Sequence, residues 1–167
     1  MSGGQVTART AAWAVLLALT GPGGAASAAA ETKAVLQVDV EGRAGVNRHR
    51  LVLTSRSADG RDLMLLFSCR VAEAGTLGVA LDLGAGAIWS IEGENVAMSR
   101  DRAADVTRRM DASDEYLTLG GRAAIAAFGP LLQSPWIGFV VRERYTASFD
   151  LAAVDAHVRR FRELCPT

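Results

Sequence analysis

Two Cys and two His are all that this 167-residue chain offers toward a thiol nucleophile or a soft-ligand metal site. His49 follows Arg48 where a polar loop gives way to a strand-like run. His157 stands off the apolar stripe of a C-terminal helix. No C-x-x-C, H-x-x-x-H or H-E-x-x-H spacing occurs. The local ligand pairs from which zinc sites are assembled are therefore missing, and no metal or other cofactor is expected. A catalytic Cys would want a basic neighbour and an environment that favours the thiolate. Cys69 ends an apolar alternating run, and Cys165 lies two residues before Thr167. Both settings suit burial better than reactivity.

Carboxylates are more abundant. Asp101, Asp105, Asp111, Asp114 and Glu115 crowd one stretch. Hydrolysis of a glycoside would need two of them opposed across a cleft, and crowding along the chain does not supply that. Arg100, Arg102, Arg108 and Arg109 interleave with them, so the expected state is solvated loops with weak surface ion pairs. There is no G-x-S-x-G elbow and no P-loop. Gly75, Gly78, Gly84 and Gly86 are spread over strand ends and form no phosphate cradle. No catalytic, cofactor-binding or metal-binding residue is assigned. Trp89, Trp136 and the two Tyr are candidates for lining a cleft, although Trp136, inside an apolar run, reads first as core.

The global balance narrows the partners. There are 18 basic and 18 acidic residues, so the formal net charge is zero. That is not the charge of a dedicated polyanion binder. Lys33 is the only Lys, and Arg159, Arg160 and Arg162 share their helix with Glu163. No nucleic-acid partner is expected. Half of the residues are hydrophobic, far from the composition of a disordered chain.

Residues 1–30 read as an export signal. Arg9 is their only charge, Ala11 to Leu19 is unbroken apolar sequence, and Thr20-Gly21-Pro22-Gly23-Gly24 breaks any helix. Ala26-Ser27-Ala28 and Ala28-Ala29-Ala30 both satisfy the small-x-small rule for cleavage. The apolar run is shorter than the ~20 residues that a membrane span requires. The expected mature chain is 31–167, one domain, with no membrane span after cleavage and a periplasmic or secreted address. In an oxidising compartment an even Cys count favours a bridge, so Cys69 and Cys165 are expected to form a disulfide.

The rest of the chain must position these residues, and it reads mostly as short strands. Leu36, Val38 and Val40 alternate with polar residues. Arg50–Ser55 and Asp62–Cys69 flank Ser57-Ala58-Asp59-Gly60, whose Asp-Gly suits a hairpin turn. Leu77–Leu83 and Val106–Met110 are further strands. Ala87–Ile91 is expected to pair with Asn95–Ser99 across Glu92-Gly93-Glu94. Arg122–Gln133 predicts a short helix interrupted at Gly129-Pro130. Trp136–Val141 and Tyr145–Phe149 pair around Arg142-Glu143-Arg144. Leu151, Val154, Val158, Phe161 and Cys165 form one helical stripe, with Asp150 as its N-cap. Both Cys thus face inward. The expected fold is α+β and mainly antiparallel: a sandwich or curled sheet with a short middle helix and a C-terminal helix tied to the sheet by the disulfide.

Leu65-Leu66-Phe67-Ser68-Cys69 and Phe149-Asp150-Leu151 … Cys165 resemble a pattern of small exported bacterial proteins. Those carry an L-x-x-x-C strand and end in F-D-L-x-G-L, a helix and a final Cys. The type VI secretion-associated periplasmic accessory family is one such group. The resemblance spans Leu63 to Cys165, with Ala153 and Val154 where Gly and Leu are usual. It implies a disulfide-stapled β domain, non-enzymatic, acting as a binding or accessory module with a protein partner in the cell envelope. Two other classes stand beside it: a small secreted carboxylate-dependent hydrolase, and a protein inhibitor of a secreted enzyme.

Overall fold

The computed structural model describes residues 31–41, 46–70, 76–84, 89–100 and 106–166. The expected signal at 1–30 lies outside them, as do Asp101 and Asp105. Among these residues nine strands form one antiparallel sheet: β1 Lys33–Glu41, β2 Val46–Arg56, β3 Asp62–Arg70, β4 Gly78–Asp82, β5 Glu94–Arg100, β6 Val106–Ser113, β7 Tyr116–Gly120, β8 Trp136–Val141 and β9 Tyr145–Asp150. Their order across the sheet is β1-β2-β3-β4-β7-β6-β5-β8-β9. Among the described residues two α-helices complete the fold, α1 Gly121–Phe128 and α2 Asp155–Leu164. No helix among the described residues is long and apolar enough to cross a membrane.

The sheet turns a corner within β6. Its first part pairs with β5 up to Met110↔Glu94, and its last residues pair with β7 from Asp111↔Thr118. Gly93 makes this corner possible. Its φ is +85°, and a Cβ there would come within 2.4 Å of the Met110 carbonyl oxygen, so only glycine fits. Curling brings the two ends of the sheet together. β9 passes close to β2, and the buried Thr32 hydroxyl accepts a hydrogen bond from the Asp150 N–H at 2.8 Å.

Period-two alternation fills the interior. Leu63, Leu65, Phe67 and Cys69 are all buried, with exposed or half-buried residues between them. Leu51 and Leu53 from β2, Leu81 from β4, and Ile137, Phe139 and Val141 from β8 join them. A chain of ring contacts runs Phe128–Phe67–Phe161 and Phe128–Phe139–Phe149, with centroids 5.7 to 6.2 Å apart. It links α1, α2 and both halves of the sheet. Burial of each such side chain contributes about 1.5–3 kcal/mol.

The Cys69–Cys165 disulfide is formed, with Cα atoms 6.0 Å apart across 96 positions of sequence. Both residues are buried, as are Leu151, Val154, Val158 and Phe161 of the helical stripe. The N-terminal boundary of that helix differs from expectation. Ala152–Val154 is a 3-10 turn, and α2 proper starts at Asp155. Asp150 caps this turn, its Oδ1 accepting from Ala153 N–H at 3.1 Å. Around Pro130, α1 ends at Phe128 and Leu131–Gln133 forms a 3-10 turn, as the Gly-Pro interruption implies.

Of the expected strand Ala87–Ile91, residues 87 and 88 lie outside the described residues, and the described remainder does not pair with β5. Trp89 and Ser90 are not in a strand, and Ser90 to Gly93 closes a turn through Gly93 N–H to Ser90 C=O at 2.8 Å. β5 instead pairs with β6 and β8. Trp89 is better satisfied as a plug: its ring is buried, and its Nε1–H donates to the Glu115 carbonyl at 2.9 Å.

Candidate functional site

Among the described residues, those first weighed for chemistry do not converge. Asp111, Asp114 and Glu115 are exposed at the β6–β7 turn, where Asp114 takes a left-handed φ of 52°. Among the described residues, no group of three or more His, Cys, Asp or Glu is arranged to hold a metal ion. His157 is exposed on α2. His49 is not at a loop junction but inside β2, 6% exposed and directly opposite Cys69. Its Nδ1 is buried without a hydrogen-bond partner. It packs beside the bridge and lies away from solvent.

What the fold does build is a groove of about 1450 Å³ where the two ends of the curled sheet approach each other. One wall is the register row Lys33–Thr54–Met64–Asp82, a single line across β1 to β4. The other is the row Ser99–Gly138–Ser148 across β5, β8 and β9. The β2–β3 turn, including Ser57, borders one end. Strand alternation explains the composition. The inward residues of these strands are largely committed to the core, so the outward residues that reach the groove are mostly polar, with Met64 and Val140 as apolar members.

Trp136 is the large exception. It opens β8 and is half-buried, lining the groove rather than entering the core. The apolar run WIGFVV hid this, because Ile137, Phe139 and Val141 take the inward positions and leave Trp136 facing outward. Gly138 seats the indole. A Cβ at Gly138 would lie 2.4 Å from Trp136 Cη2, 3.0 Å from Cζ2 and 3.0 Å from Ser99 Oγ. The six-membered ring therefore rests over the strand where any other residue would hold it off.

The charged groups of the groove are engaged, two pairs with each other and Asp82 with the backbone. Arg56 Nε donates to Asp62 Oδ1 at 3.2 Å, and Lys33 Nζ lies 4.0 Å from Glu31. Asp82 Oδ1 accepts from Gly84 N–H at 2.7 Å. The hydroxyls of Thr54, Ser99, Thr146 and Ser148 make no hydrogen bond to other described residues. Asp62 and Asp82 lie on one face of β3–β4, at diagonal positions fixed by Met64↔Asp82. Sequence reasoning missed both. Asp62 reads as the residue after a turn and Asp82 as the polar member of an alternating strand, and only the curl of the sheet places them in one groove.

A second polar cluster lies at the β8–β9 turn. Arg142 and Glu143 have φ of 50° and 58°, a conformation that costs roughly 1–2 kcal/mol per residue without glycine. Arg142 pairs closely with Glu94 and lies over the Trp89 ring, 5.6 Å from its centroid. Trp89 meets Tyr145 edge-on at 5.4 Å. Arg61 and Arg144 approach the Tyr145 ring at 5.8 and 4.7 Å. The Arg142 hydrogen bond and, secondarily, the Ser90 N–H hold the Glu94 carboxyl below its usual pKa. Arg61 is matched by Asp59 at 2.8 Å and by the Leu83 carbonyl at 2.8 Å. With Arg142 and Arg61 both matched, this cluster is a latch that fastens the turn to the body of the sheet.

No family model, curated protein or solved structure matches this chain.

Proposed function

We propose that the chain is an exported, non-enzymatic binding or accessory protein of the bacterial cell envelope, with the groove between the ends of its sheet as the binding surface. The observation that carries the export half is the buried Cys69–Cys165 bridge. Such crosslinks persist in oxidising compartments and are rare where thiols are kept reduced. The leader pattern of residues 1–30 supports the same address. The groove supports the binding half, because it gathers an aromatic ring and unengaged hydroxyls from strands far apart in sequence. Resemblance of the Phe149-Asp150-Leu151 … Cys165 ending to the type VI secretion-associated accessory proteins supports a partner within the envelope.

One observation favours a second reading, a small carboxylate-dependent hydrolase. Asp62 and Asp82 face the same groove, at a diagonal spacing where Cβ atoms on one sheet face are within about 7–8 Å.

Expression of the full chain in a bacterium with a general secretory pathway tests the export reading. The expected product is found in the periplasmic fraction, lacks residues up to 28 or 30, and has an intact mass lighter by two hydrogens. A full-length cytosolic product with two free thiols is the result that overturns it.

A further inference from the structure

The groove has the chemistry of a saccharide site, and we propose that its occupant is an uncharged sugar segment of a glycan, stacked on Trp136. This deepens the binding reading above and rests on it. Three observations carry it. The first is the ring. Trp136 presents its ring to the groove, whereas Phe139, which also borders it, is buried in the core, and Gly138 lets the six-membered ring of Trp136 lie against the strand. A flat π surface in a groove that mixes apolar and polar lining suits the C–H face of a pyranose, which is apolar, while the rim of the sugar is all hydroxyl.

The second is the hydroxyls. Thr54, Ser99, Thr146 and Ser148 come from three strands, β2, β5 and β9, and have no partner among the described residues. A hydroxyl both donates and accepts, so such an array matches sugar hydroxyls in either orientation. The third is charge. Lys33 and Arg56 are opposed by Glu31 and Asp62, with Asp82 as the remaining acceptor. The balance leans acidic, so an acidic polysaccharide is repelled and a neutral one is not.

The test uses the mature, oxidised protein and a panel of neutral hexasaccharides: cellohexaose, chitohexaose, xylohexaose, maltohexaose and mannohexaose. Polygalacturonate hexamer serves as the acidic control, and a soluble Ser/Gly peptide as the polypeptide control. Calorimetric titration should give a Kd between roughly 10 μM and 1 mM for at least one neutral sugar. Trp136→Ala should weaken it by about tenfold or more. Gly138→Ala keeps the indole but displaces it, and should weaken binding in the same direction. Thr146→Ala with Ser148→Ala removes only surface hydroxyls, which separates lost contacts from lost folding, and should also weaken binding. Matching thermal melts confirm that the variants are folded.

No binding to any neutral sugar up to about 10 mM overturns the proposal, as does binding that Trp136→Ala and the hydroxyl variants leave unchanged, or binding confined to the acidic sugar or the peptide. These failures leave the intact-mass result untouched, so loss of the ligand assignment is distinguishable from loss of the export reading. Release of shorter sugars during the titration, abolished by Asp82→Asn, would support the saccharide site and transfer the protein to the hydrolase reading.

Discussion

His49 shows how a single side chain can be legible in identity and illegible in setting. Beside Arg48 and Asn47 it reads as the junction between a polar loop and a strand, yet β2 begins at Val46 and carries it inward opposite Cys69. Charged neighbours fall on the alternate positions, which local hydropathy averages away. Its buried Nδ1 has no partner, and an unsatisfied buried polar atom costs about 1–3 kcal/mol. Replacement of His49 by Leu should therefore raise the free energy of unfolding by ~1 kcal/mol, part of the gain being offset by imperfect packing. Urea denaturation of the oxidised protein measures this. A loss of stability would mean that the imidazole makes an interaction of greater worth than its desolvation. The two Cys were the opposite case, since their places on strand and helical stripe could be read directly and were enough to aim them at each other.

Among the elements, those with a strong period were legible and those defined by distant partners were not. The hairpin around Ser57-Ala58-Asp59-Gly60, the β8–β9 hairpin and the α2 stripe follow from alternation, turn residues and helical spacing. The expected pairing of residues 87–91 with β5 failed because short sequence separation favoured a hairpin, whereas β8 and β6 outcompete it from farther away. Trp136 was hidden for a different reason, as the outward-facing first residue of β8 inside an apolar run.

The latch between β5 and the β8–β9 turn carries a pH prediction. Glu94 has its carboxyl pKa lowered in the folded chain, first by the Arg142 hydrogen bond. A depressed acid contributes stability that is present above its unfolded value and is lost as pH falls through the folded value. Wild-type protein should thus lose stability below the ordinary Glu value of about 4.5. Glu94→Gln should flatten that part of the profile while being less stable than wild type near neutrality. Thermal melts at pH 7 and across pH 5 to about 3 give both readings. Parallel profiles for the two proteins would show that the pair contributes nothing.

For the molecule as a whole, the fold class came from counting alternating runs and turns, and the disulfide from parity and facing. The groove did not, because it exists only once β9 has been curled round to β2. The bridge closes a loop of 96 separations, for which a chain-entropy treatment gives about 4–5 kcal/mol, and native bridges typically contribute 2–5. Cys69→Ala with Cys165→Ala should lower the unfolding free energy by about 2–5 kcal/mol in denaturant titrations. An unchanged midpoint would show that packing of α2 suffices without the crosslink.

That same bridge sets a clock on biogenesis. Cys69 leaves the ribosome 96 residues ahead of Cys165, and at ~5–20 residues per second the earlier thiol waits on the order of 5–20 s for its mate. For about the first half of that interval β4 also lacks β7, its neighbour in the finished sheet, because β7 ends at Gly120. A nascent copy thus carries a solitary sulfhydryl next to an unfinished strand edge. Crowded copies would be apt to cross-link to one another through Cys69, and a chaperone or thiol oxidase that shields it until synthesis ends would govern the yield of correctly closed monomer.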